Sequence, residues 1–262
     1  MSVYDGDSPK AFDESLQSIK KQSLEASELI LIENGLISKE LQNCIDYYRK
    51  SINIFTIKMP KNLGLSLALK KGMAACNQNF IARMDADDIC APDRFKTQHN
   101  FLSKNPDVDV VGSWITEFED DPRKIINYRR LPLHHDKIAT FSKTRCPFNH
   151  MTVMFRKKAV LAAGGYNDYP IAQDYNLWVR MLVNGSHFAN LPEYLVNVRC
   201  GKGSVARRSG FRRVKYDIKN QIDFLNLGFI GPVRFITNIT LRCTVRMLPQ
   251  IILKSIYKVA WR

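Results

Sequence analysis

Apolar positions along the chain change period from one stretch to the next, and the changes mark out alternating strands and helices. Ser2-Val3-Tyr4 reads as a strand end before the polar turn Asp5-Gly6-Asp7-Ser8-Pro9. From Ala11 to Ser23 the apolar residues Phe12, Leu16 and Ile19 recur at helical spacing. Glu28–Ile32 is a short apolar run closed by Glu33-Asn34-Gly35, a buried strand and its turn. Leu36–Lys50 is helical in pattern, Ile52–Ile57 alternates as a third strand, and a helix leads from Leu65 through Cys76. A central strand at 80–84, a helix over Pro92–Leu102 and a strand over Asp109–Ile115 follow. Residues 117–145 carry no clear period; a loop and strand at 146–155 precede the turn Ala163-Gly164-Gly165-Tyr166 and an amphipathic helix from Gln173. This alternation predicts an α/β fold, a mostly parallel sheet with helices on both faces.

Within that pattern the run Phe80-Ile81-Ala82-Arg83-Met84-Asp85-Ala86-Asp87-Asp88 stands apart, because an apolar strand ends in three carboxylates within four residues. Acids so crowded repel, and a divalent cation would relieve them: Mg²⁺ and Mn²⁺ take oxygen ligands, commonly one or two carboxylates plus substrate phosphates. The carboxyl end of a strand is also where open α/β sheets bind ligands. An acidic loop ahead of a helix capped by Asp88 or Asp93 is the plainer alternative. Asn62-Leu63-Gly64-Leu65-Ser66, before a helix, allows close backbone approach of a phosphate or is an ordinary helix start. His150, at the head of a strand, is either a packed structural histidine or a ligand, and Asp174 either serves the helix dipole or does chemistry.

Composition adds mainly an asymmetry. The chain has 262 residues and a net charge of +14, but residues 200–262 hold thirteen of the 39 Lys/Arg and two of the 25 Asp/Glu. The basic character belongs to the tail, which points to an anionic surface as partner. Six scattered cysteines without a Cys-x-x-Cys pair suggest neither a disulfide framework nor a zinc site, and fit a reducing compartment. No signal-peptide pattern opens the chain and no window reaches the ~18 apolar residues of a spanning helix.

Taken in order, Ser2-Val3-Tyr4, the glutamine-containing first helix, Ile32-Glu33-Asn34-Gly35, Asn62-x-Gly64, Asp85-Ala86-Asp87-Asp88, Gly164-Gly165-Tyr166 and Gln173-Asp174-Tyr175-x-Leu177-Trp178 resemble the inverting family-2 glycosyltransferases of GT-A (Rossmann-like) fold. Arg83-Met84-Asp85, Asn149-His150-Met151-Thr152 and the basic tail resemble the bacterial O-antigen and exopolysaccharide subset, of amylovoran or β-1,3-galactosyl/glucosyltransferase type. The resemblance implies transfer of a hexose, Gal or Glc, from a UDP-sugar donor to a polyprenyl-diphosphate-linked saccharide. It implies Asp174 as catalytic base and Asp87 as holder of Mn²⁺ or Mg²⁺. It also implies Asp85, Tyr4, Glu33, Asn34, Asn62 and Gly64 around the nucleotide, with His150, Asp88 and Gln173 as further acceptor or metal residues. The family's acidic pair is here Gln173-Asp174, and its base-contacting acids are reduced to Glu33-Asn34. The first strand is short for the family, so Met1 is either a true start or internal.

Two domains are expected: a catalytic unit over 1–200 and, over 201–262, a basic amphipathic helical tail. From Phe211 to Asn226 the tail is polar and helical in pattern. Beyond it, apolar residues mix with Arg234, Arg242, Arg246, Lys254, Lys258 and Arg262, the bases falling four apart, without an acid after Asp223. Such helices lie on membrane surfaces, here the cytoplasmic face of a bacterial inner membrane, or pack on the catalytic unit. Two other classes compete. A Mg²⁺-dependent nucleotidyltransferase would also use clustered aspartates but would not need Asp174. A basic nucleic-acid-binding protein would suit the pI of 9.6, but the charge is confined to the tail and no nucleic-acid motif is present.

Overall fold

The computed structural model describes residues 1–201 and 210–247. Three βα units open the chain: β1 (Ser2–Val3), α1 (Pro9–Lys20), β2 (Leu29–Asn34), α2 (Lys39–Tyr48), β3 (Ile54–Met59) and α3 (Leu65–Ala75). β1, β2 and β3 form a parallel sheet in sequence order, with Ile32 paired to Ser2 on one side and Ile57 on the other. Every residue of β2 is buried, which matches its continuous apolar run. The helix starts are written locally: Ser8 and Ser38 accept the amides of Ala11 and Leu41, and Pro9 occupies the first turn of α1. Phe12, Leu16 and Ile19, the periodic face of α1, pack into one core with Val3, Leu31, Leu41 and Ile45.

The second sheet is mixed. β4 (Phe80–Ala82), β8 (Met154–Arg156), β6 (Val108–Phe118), β9 (His187–Arg199) and β5 (Ile89–Cys90) lie in that order, with β7 (Asn127–Arg129) beside β6. Only β6 and β9 are parallel here; the other pairs are antiparallel. The parallel arrangement expected for the whole chain therefore holds for β1–β3 and for β6–β9. It does not extend to β4, β5, β7 and β8, which are too short for the sequence to reveal their direction. The residues between β4 and β5 connect the two ends of the strand order, so the acidic run at 83–88 lies across the end of this sheet.

α4 (Arg94–Lys104), α5 (His135–Ser142), α6 (Lys157–Ala162) and α7 (Gln173–Val183) complete this part, with a single 3₁₀ turn at His150–Thr152. Trp178 of α7 is fully buried and meets Phe148, Phe155 and Phe188 edge-on or tilted.

α8 (Phe211–Asn226) and α9 (Pro232–Met247) form a hairpin packed on α7. Phe224 lies 4.8 Å from the ring of Tyr175, and Asn176 donates to Asn220 and Asp223. The arginines here are divided: Arg212 and Arg234 are exposed, and others face the protein. Arg242 and Arg246 turn inward, with Arg213, onto the buried carboxylate of Asp217. The outward positions also include apolar Phe211, Val233, Ile236, Leu241 and Met247. Pro249, Lys254, Lys258 and Arg262 lie outside the described residues. Among the described residues no helix is long and apolar enough to cross a membrane.

Candidate active site

The acidic run is shaped by a buried arginine. Arg83 follows β4, its backbone N–H donating to Val153, and its guanidinium pairs with the half-buried Asp85. Nε and Nη1 of Arg83 are buried without a hydrogen-bond partner. Asp87 is half-buried, and burial with the nearby charge of Asp85 pushes its pKa up. Asp88 points the other way: it is buried, accepts the Arg199 amide at 2.9 Å, and ties the loop to the end of β9. Burial and its two acidic neighbours raise its pKa well above the usual carboxylate range.

A fourth carboxylate joins them from the turn after β1. Asp7 accepts the Tyr4 amide at 3.0 Å, and its pKa is pushed up to about 6 by burial, with Asp87 and Asp85 adding to the rise. Only the polar turn 5–9 hinted at it. Tyr4 is exposed, its ring lying over Gly6, where any side chain would collide with it. At the end of β2, Glu33 is buried; one oxygen stands 3.6 Å from Lys58 Nζ and the other has no hydrogen-bond partner. Asn34 and Asn62 spend their side-chain oxygens on the amides of Leu63 and Gly64, shaping the loop before α3. Gly35 abuts that loop closely, and a Cβ on it would lie 2.8 Å from the Asn62 nitrogen.

These parts suit a hard divalent cation. Asp7 and Asp87 offer hard oxygen donors close enough to feel the charge of Asp85, and burial, with that charge adding to it, raises the pKa of both. Among the described residues no group of three or more Asp, Glu, His or Cys is placed to hold a metal ion by itself, so a cation here would need further oxygen ligands. That is the pattern of a metal shared with substrate phosphates.

The second half of the site is the start of α7. Ala172, the residue before that helix, has φ 58° and ψ 33°, and it is the one non-glycine with positive φ among the described residues. Such strain clusters at functional sites. It aims Gln173 into the protein, where it is buried, and leaves Asp174 half-exposed. The Cys146 thiol donates to Asp174 at 3.6 Å, and burial together with Asp174 holds that thiol protonated, its pKa well above the ordinary value. Asp174 opens into a cavity of about 610 Å³ between α7, the 3₁₀ turn and the α8–α9 hairpin, also lined by Asn149 and His150.

The two halves meet at a buried pair. His150 Nε2 lies 2.8 Å from the Tyr166 hydroxyl, and Tyr166 feels the charges of Arg83, Asp174 and Asp85. Burial, with Arg83 nearby, holds His150 well below the usual imidazole range. The sequence reading assigned no role to Asp7, Arg83, Cys146 or Tyr166. Their contacts are non-local, and only Arg83 and Tyr166 sat within noticed motifs.

Comparison with known proteins identifies the family. Residues 1–164 match the family described as Glycosyl transferase family 2. An Escherichia coli protein named UDP-Gal:alpha-D-GlcNAc-diphosphoundecaprenol beta-1,3-galactosyltransferase is 37% identical over 98% of this chain and 94% of its own. The amylovoran biosynthesis glycosyltransferase AmsE of Erwinia amylovora is 33% identical over 98% of this chain and 96% of its own. Among solved structures, a mannosyltransferase from Pyrobaculum calidifontis in complex with GDP-Man and Mn²⁺ superposes with a TM-score of 0.65. That match has 15% identity and covers 91% of this chain and 67% of the other, a likeness of fold.

Proposed function

The chain belongs to glycosyl transferase family 2, as a GT-A glycosyltransferase, and from that premise we propose that it moves a hexose from a UDP-sugar to a lipid-diphosphate-linked sugar during surface-polysaccharide assembly. The observation that carries this reading is the His150–Tyr166 pair, which joins an acid cluster suited to a metal and a diphosphate with a separate carboxylate, Asp174, in an open cavity. Phosphoryl chemistry on the acid cluster alone would leave Asp174 without work. Galactose as the transferred sugar follows the name of the Escherichia coli relative, and glucose is the alternative.

In this proposal Tyr4 offers its exposed ring and Glu33 its unpartnered oxygen to the nucleoside base, and Asp85 meets the ribose side. Asn34, Asn62 and Gly64 shape the loop beside them, and Asp88 anchors the acidic loop. Asp87, helped by Asp85, would hold Mn²⁺ or Mg²⁺, which as a Lewis acid offsets charge developing on the leaving diphosphate. Asp174 takes the proton from the acceptor hydroxyl as that oxygen attacks the anomeric carbon from the face opposite the leaving group, through an oxocarbenium-like state. Gln173 and Cys146 fix its position.

We place the catalytic unit at residues 1–200 and assign residues 201–262 to the cytoplasmic face of the inner membrane as a peripheral anchor. The exposed apolar side chains of α9 support this, since interfacial helices bury such a face at the lipid boundary. The deciding assay incubates purified protein with a panel of UDP-hexoses and a lipid-diphosphate-linked amino sugar. Release of UDP with formation of a disaccharide lipid is expected; release of pyrophosphate, or no sugar transfer from any donor, overturns the reading.

A further inference from the structure

The cavity at Asp174 is strongly cationic. Arg129, Arg145, Arg213, Arg234, Arg242 and Arg246 line it, and among the described residues Asp174 is its one acidic lining residue. Three of these arginines, on two helices, converge on a single carboxylate: Asp217 lies 3.6 Å from Arg213, 3.4 Å from Arg242 and 3.1 Å from Arg246. Asp217 is itself 3% exposed. All three share that carboxylate, and burial together with Arg246 and Arg242 drives the Arg213 pKa down. Guanidinium groups clustered at this density offer a multiply charged anion several charge-assisted hydrogen bonds at once. Planar guanidinium forks match phosphate oxygens in particular.

The site differs in kind from the one for the donor. Asp7, Asp85 and Asp87 would repel a diphosphate unless a cation intervened, whereas the arginine cavity would bind one directly. Its volume falls in the range of small-molecule sites. Its α9 wall continues through Leu241 and Val245, and Leu241 reaches the exposed surface, giving an apolar chain a way out.

Resting on the transfer reading above, we propose that this cavity is the acceptor-diphosphate site. The arginines of α8, α9 and the 129–145 segment hold the diphosphate that joins acceptor sugar to lipid, without a metal, so that the sugar hydroxyl lies at Asp174.

The test is equilibrium binding of geranyl diphosphate to the full-length protein in EDTA, which removes any metal-dependent binding at Asp87. Two variants are compared with wild type: the double variant Arg145→Gln/Arg234→Gln, at exposed positions, and Arg242→Lys, which keeps the charge beside Asp217 but loses the fork. Geranyl diphosphate is expected to bind wild type and to bind each variant roughly tenfold or more weakly, the size of a lost charge-assisted contact. UDP affinity in Mn²⁺ should be unchanged in both.

Equal geranyl diphosphate binding in wild type and variants overturns the proposal, as does its displacement by UDP in EDTA. Anionic phospholipid vesicles are the second arm. If the variants lose vesicle binding but keep geranyl diphosphate, the arginines serve lipid headgroups and the proposal falls. A protein that binds geranyl diphosphate as expected but transfers no hexose would refute the transfer reading and leave this site standing.

Discussion

His150 and Tyr166 share a buried hydrogen bond of 2.8 Å between the imidazole Nε2 and the phenol, between the acid cluster and the start of α7. The imidazole is kept neutral by burial and by Arg83. In the unfolded chain a histidine titrates near pH ~6.5, so on acidification the unfolded state takes up this proton first. Stability contributed at this position is therefore complete above about pH 6.5 and declines below it. Thermal unfolding of wild type and His150→Gln between pH 8 and 5 checks this. The gap between the two melting temperatures is expected to narrow as pH falls; a constant gap would mean that His150 titrates normally.

Asp87→Asn is expected to abolish transfer without lowering the melting temperature of the ligand-free protein, because burial and Asp85 disfavour the charge it removes. Residual turnover near wild type without added Mn²⁺ or Mg²⁺ would sink the metal assignment. Asp7, with its pKa at about 6, should couple to the same event. Deprotonation through pH 6 adds negative charge beside the cation, so Mn²⁺ affinity in wild type should rise across that range. In Asp7→Asn the rise should flatten, as isothermal titration at pH 5, 6 and 7 would show.

The parts of this site that are contiguous in sequence were legible before the fold was known. Asp85 and Asp87 announce themselves by crowding, whereas the place of Asp174 in the first turn of an amphipathic helix is equally that of a helix-dipole residue, and only the family resemblance implied a base there. The β1–β3 half was readable because continuous apolar runs alternate with helical spacing. β9 was not, because Asn190, Pro192 and Glu193 interrupt its pattern while β6 supplies pairing along its length. Asp7, Cys146 and the Asp217 cluster depend on contacts between distant segments, which no local period encodes. The same limit explains α9, where spacing put the arginines on one side of the helix but could not say that Asp217 waits there.

Asp174→Asn should lower kcat by about 10²–10⁴-fold, the usual general-base contribution, with UDP affinity unchanged. A parallel loss of UDP affinity would move Asp174 to the donor site. The strained residue before it offers a subtler test. A non-glycine residue in the left-handed region costs about 1–2 kcal/mol, so Ala172→Gly should be neutral or stabilising by up to ~1 kcal/mol despite its entropy cost. The same change frees the start of α7, so kcat should fall while the melting temperature holds or rises. A destabilised Ala172→Gly with unaltered kcat would show that the strain has no part in aiming Asp174.

Asp217 is the most consequential residue outside the reacting groups. It is buried, it sits between Arg213, Arg242 and Arg246, and those arginines come from both helices of the hairpin. Removing one partner of a buried ion pair costs about 3–5 kcal/mol, because the remaining charge is left uncompensated. Asp217→Asn would remove the carboxylate that three arginines share. The loss should concentrate in α8 and α9, since the parallel sheet and the Trp178 core lie elsewhere. Hydrogen exchange is the measurement: amides of 211–247 should lose protection in Asp217→Asn while those of β2 and β6 keep theirs. If geranyl diphosphate fills the cavity, adding it should restore part of the lost protection, because an anion replaces the missing carboxylate. Uniform loss of protection across β2 and β6 as well would mean that the hairpin and the catalytic unit unfold together.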